Sequence, residues 1–72
     1  MKAEEIIHKS VVNGYTYVYD KSGFISVFDA TYAEITAENS TVQCVYRMKA
    51  DCETMKDFQM EIIYITQKIN EI

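Results

Sequence analysis

Toward the C-terminal end of the chain, apolar residues recur at Met55, Phe58, Ile62, Ile65, Ile69 and Ile72, with spacings of 3, 4, 3, 4 and 3. That rhythm draws one narrow apolar stripe along an α-helix and does not suit a strand, whose period is 2. It predicts a helix over about 52–71. Asp51 is its expected cap, with Thr54 and Asp57 as a second capping pair, and Glu53 and Asp57 sit where acids complement the positive end of the helix dipole.

Upstream the pattern changes to alternation. Tyr15, Tyr17 and Tyr19 alternate with Thr16 and Val18, and Phe24, Ser26 and Phe28 alternate with Ile25 and Val27. These predict strands over about 15–20 and 24–29, rich in the aromatic and β-branched residues that a pleated surface favours. Asn13-Gly14 between strand-like residues is a strong hairpin signal, because a type I′ turn needs positive φ at both central positions. A hairpin needs a strand before the turn, so a first strand is expected over about 6–12. Asp20-Lys21-Ser22-Gly23 supplies the next turn. Residues 31–37 alternate again and are expected as a strand, although their alanines and glutamates also permit two helical turns. Thr41 to Lys49 gives the last predicted strand.

The expected fold is therefore α+β: an antiparallel β-meander of four to five strands packed against one C-terminal α-helix, in a single domain spanning residues 1–72. A single helix can cover only one face of such a sheet. If Val18, Ile25, Val27 and Ile35 face the helix, then Tyr15, Tyr17, Tyr19, Phe24 and Phe28 look outward, or the assignment is reversed. In either case one face is left without intrachain cover, and contiguous apolar patches of that kind usually mark interfaces. On the helix, Ile63 and Tyr64 widen the apolar face beyond the main stripe.

Composition changes this picture little. The 72 residues are 49% hydrophobic and 25% charged, an ordinary globular balance, and a core this small leaves little spare stability. The net charge of −4 and the scattered lysines disfavour a nucleic-acid backbone as partner and match a basic protein surface instead. The first ten residues carry acids where an export signal needs an apolar core, and no run approaches the roughly eighteen apolar residues of a membrane span. A cytoplasmic location without membrane insertion is the expectation, with Cys44 and Cys52 as free thiols.

Candidate chemistry is sparse. His8 is the only histidine and has no neighbouring nucleophile-bearing turn to complete a triad. His8, Cys44 and Cys52 lack the spacing of a zinc site, which wants four ligands when closed. Gly14 and Gly23 are isolated and form no phosphate-cradling loop. No catalytic residue, metal or cofactor is assigned. The expected function is that of a small non-catalytic protein-binding module, of the phage- or plasmid-borne inhibitor, antitoxin or immunity type, docking on a macromolecular target. Its expected contacts are Tyr15, Tyr17, Tyr19, Phe24 and Phe28, with Glu34, Glu38, Asp51 and Glu53 steering a basic partner. The alternative is a self-assembling structural or accessory subunit, and a homodimer is slightly favoured. A third class is a small-ligand binder with a pocket between helix and sheet lined by Met48, Met55 and Phe58.

Overall fold

In the computed structural model, which describes residues 2–70, two tight turns set up the sheet. Asn13 and Gly14 adopt φ of 53° and 83°, so both central positions of the first turn are left-handed, as a type I′ hairpin demands. They join β1 (Ile6–Val12) to β2 (Tyr15–Asp20). At the next turn Gly23, with φ of 86°, donates its amide to the Asp20 carbonyl at 3.0 Å and leads into β3 (Phe24–Phe28). A single 3-10 turn, Ala3–Glu5, precedes β1. With β4 (Tyr46–Lys49) the strands form one antiparallel sheet in the order β1-β2-β3-β4.

The fold class follows the expected α+β arrangement, with four strands. Two local expectations are corrected. Residues 31–37, predicted as a strand, contain instead a short helix, α1 (Tyr32–Thr36). The cause is a capping box: the Glu34 amide donates to the Thr31 hydroxyl at 3.2 Å, and the Thr31 amide donates to the Glu34 carboxylate at 2.9 Å. The Thr36 hydroxyl closes the turn by donating to the Tyr32 carbonyl at 2.8 Å. The last strand is also shorter than the predicted 41–49, since the chain from Thr41 to Val45 is irregular. One ladder-like bond, from the Val45 amide to the Val27 carbonyl at 2.7 Å, extends beyond it.

The long helix α2 (Met55–Asn70) starts on the second capping pair, not on Asp51. The Asp57 amide donates to the Thr54 hydroxyl and the Thr54 amide to the Asp57 carboxylate, both at 3.2 Å. Glu71 and Ile72, the ends of the predicted helix and of its apolar stripe, lie outside the described residues. Phe58, Ile62 and Ile65 are buried against Tyr17, Tyr19, Ile25 and Val27, with Cys52 in the same cluster. The Tyr17 hydroxyl and Thr66 Oγ1 share a hydrogen bond of 2.9 Å, which ties the middle of β2 to α2.

The division into an aliphatic and an aromatic face does not hold. Tyr17 pairs with Val27 and Tyr19 with Ile25, and residues directly opposite across an antiparallel pair share a face. The α2 face therefore mixes tyrosines from β2 with aliphatics from β3. The other face carries Val18 and Phe28, and Ile35 of α1 packs on them to make a second small core with Ile6, Ala30 and Tyr32 at its margin. Turning residues 31–37 into a helix thus supplies the second cover that a one-helix architecture lacks. Neither face is left bare.

Candidate interaction surface

The predicted contact residues fall into three environments. Tyr17, Tyr19 and Phe28 are buried, Tyr17 to 1% exposure, and offer no surface on which a protein could dock while the fold is intact. Tyr15 and Phe24 are half-buried; Tyr15 packs at the margin of the α2 core, and the Arg47 guanidinium stacks 4.2 Å above the Phe24 ring. The expectation of an uncovered aromatic sheet face is corrected accordingly: those rings are core. Glu34 is exposed, yet its carboxylate is occupied in capping α1. Glu38, Asp51 and Glu53 are exposed and make no hydrogen bond or ion pair with the described residues, Glu38 just beyond α1 and the other two just ahead of α2.

Exposed apolar area is concentrated elsewhere. Met60, Ile63 and Tyr64 retain 62%, 58% and 47% of their surface. At spacings of three and four residues they share one side of α2, and that side points away from Phe58, Ile62 and Ile65, which α2 presents to the sheet. The helix is therefore apolar on two opposite flanks, only one of which the chain covers. Glu53, Asp57 and Glu61 give the start of this outer face an acidic border, and Lys68 stands 5.4 Å from the Tyr64 ring centroid toward its other end. A second exposed apolar pair, Ile7 and Val11, lies on β1, which is an edge strand. The break in pairing register between Ile6 and His8 leaves Ile7 as an extra residue in that edge, and irregularities of this kind help to discourage indiscriminate edge pairing.

The few chemical groups singled out from the sequence are dispersed. The His8 ring stacks between Tyr19 and Phe58, at centroid distances of 5.9 and 5.5 Å, and its buried Nε2 has no hydrogen-bond partner. Cys44 is exposed and Cys52 buried, both as free thiols. Burial raises the pKa of the Cys52 thiol, with Glu61, Asp57 and Asp51 adding smaller electrostatic contributions in the same direction. Among the described residues no three potential metal ligands come together, and no helix is long and apolar enough to cross a membrane. Of the residues expected to line a pocket between helix and sheet, Phe58 is fully buried, Met48 is half-buried at the margin of the core and Met55 is 43% exposed; farther along, a cavity between the C-terminal half of α2 and the sheet holds about 20 Å³, room for roughly one water.

The chain matches no protein-family model, no curated protein and no solved structure.

Proposed function

We propose that this protein is a small non-catalytic binding module that docks onto another protein through the outer face of α2. Inhibitors, antitoxins and immunity-type proteins are the kinds of molecule such a module serves. The observation that carries the reading is the Met60, Ile63 and Tyr64 stripe, large apolar side chains exposed on a helix whose opposite flank already fills the core. An amphipathic helix laid into an apolar groove uses anchors at these spacings. The acids at the start of the face, together with the net charge of −4, favour a groove with a basic rim.

A second reading, self-assembly, draws on the same stripe, because a two-fold axis across it would bring each anchor against a copy of the others. The two readings separate on one variant. Ile63→Glu alters an exposed position and is expected to change stability by no more than about 0.5 kcal/mol. Tagged wild-type protein and the variant are compared for capture of a specific host protein, alongside light scattering over a range of concentrations. A monomer that retains a partner only when Ile63 is intact supports docking. A dimer that dissociates on Ile63→Glu transfers the face to self-assembly. Identical behaviour of variant and parent in both measurements removes α2 from the account.

A further inference from the structure

The face of the sheet opposite α2 is not filled from end to end. Beside α1, and under the irregular segment that leads into β4, lies an open-sided cleft of about 420 Å³. That volume is within the range of roughly 300–1,000 Å³ typical of small-molecule sites. Its floor is made by Asp20, Ser26 and Phe28, and its walls by Ile35, Val42 and Cys44. Arg47 borders both this cleft and an adjoining hollow that reaches Lys21 and Ser22.

Three features of the floor are unusual for a surface dent. Ser26 is only 3% exposed, yet its hydroxyl is hydrogen-bonded to no other described residue. That hydroxyl is not sealed from solvent, and so it is open to a ligand in the cleft. Asp20 is 9% exposed, and its Oδ1 is fixed by the backbone amide of Ser22 at 2.9 Å and by the Ser22 hydroxyl, which leaves Oδ2 for another donor. No ion pair or hydrogen bond joins Asp20 to Arg47, whose guanidinium rests on Phe24 instead. Two opposite charges thus line one cleft without neutralising each other.

The order of these groups along the sheet is informative. Ser26 is paired with Arg47 across β3 and β4, while Asp20 lies one position further toward one end and Phe28 one position toward the other on the same face. β2 and β4 flank β3 and Asp20 stands two residues along from the Ser26–Arg47 row, so the backbones of Asp20 and Arg47 are roughly 12 Å apart, and their side chains narrow the gap between the charged ends. That gap suits a short dipolar molecule making a hydrogen bond of about 2.9 Å at each end. The geometry points to a binding site for a free α-amino acid with an apolar side chain. Its carboxylate meets the Arg47 guanidinium and the Ser26 hydroxyl, its ammonium meets Asp20 Oδ2, and its side chain lies along the exposed Val42, beside the small open edge of Phe28. This site is on the face of the sheet away from the outer surface of α2, so it stands or falls independently of the docking reading.

The two cysteines provide the test. Cys44 is exposed in the cleft wall, while Cys52 is buried on the opposite face and serves as an internal control. Native protein is alkylated with iodoacetamide in the presence of leucine or phenylalanine, or of their analogues lacking the ammonium (4-methylpentanoate, 3-phenylpropanoate) or the carboxylate (3-methylbutylamine, phenethylamine). Labelling of each thiol is followed by mass spectrometry. At least one of the two amino acids is expected to slow Cys44 alkylation several-fold and saturably, with no change at Cys52 and little effect from either class of analogue. Arg47→Gln, at an exposed position, abolishes the protection. Ser26→Ala weakens it with little change in thermal stability, since the hydroxyl holds no other described residue. Absence of protection by both amino acids, equal protection by the analogues, or protection that survives Arg47→Gln overturns the assignment.

Discussion

Tyr17 joins the sheet to α2 directly, with a ring buried in the core and a hydroxyl bonded to Thr66 of α2. Its two parts are separable. Tyr17→Phe removes the hydrogen bond and leaves the Thr66 hydroxyl, which is only half-buried, within reach of water; the expected cost is about 1 kcal/mol. Tyr17→Ala also empties the ring's volume and is expected to cost about 3–5 kcal/mol, enough to unfold much of so small a domain. Urea titrations of the two variants measure both values. Cys52 adds a dependence on pH. Because burial, and after it Glu61, Asp57 and Asp51, hold its proton more tightly in the folded chain, its contribution is complete at pH below the unfolded thiol's range. It is lost as pH rises through the folded one. Cys52→Ala should therefore be destabilising near neutrality, through lost packing, by an amount that shrinks in alkaline solution. A deficit independent of pH in parallel denaturation curves contradicts this.

Among the elements, α1 depends most on its ends. It has five residues, too few to be stable by propensity alone, and it persists because Thr31 and Glu34 satisfy its first turn and Ile35 is buried beneath it. Thr31→Ala is expected to cost about 1 kcal/mol and to loosen the Val18–Phe28–Ile35 cluster first, which hydrogen exchange would register as faster exchange at Val18 and Phe28 than at Ile25. The same helix marks the limit of what the sequence discloses. One turn is too short for a period of 3.6 to be told from a period of 2, and Ala33, Ile35 and Ala37 satisfy either. The deciding signal was the Thr31-x-x-Glu34 capping pair, a local feature that alternation outweighed. The hairpins were readable because Asn13-Gly14 admits so few backbone geometries, and α2 because sixteen residues display the helical period several times over. Which side chains share a face was not readable, since it follows from the pairing of Tyr19 with Ile25 and of Tyr17 with Val27 across two strands. The outer stripe of α2 was visible only in part, as Ile63 and Tyr64. Its direction became known once the sheet had claimed Phe58, Ile62 and Ile65.

For the molecule as a whole, the radius of gyration of 11.4 Å is close to the value of about 11 Å expected for a compact chain of this length. Its sheet needs no second chain to dry its faces, which is why the docking surface proposed above is a helix face and not the tyrosines of β2. Each strand of the sheet pairs with its neighbours in sequence, and such local connectivity favours rapid folding. The order of elements has one further result. During synthesis the ribosome delivers the complete sheet before it delivers α2, so a nascent chain carries Tyr17, Tyr19, Ile25 and Val27 as a wet, adhesive plate until Phe58 to Ile65 emerge to cap it. A fragment halted ahead of Met55 should thus partition into inclusion bodies or onto chaperones, and adding the missing helix as a separate peptide should return part of it to solution.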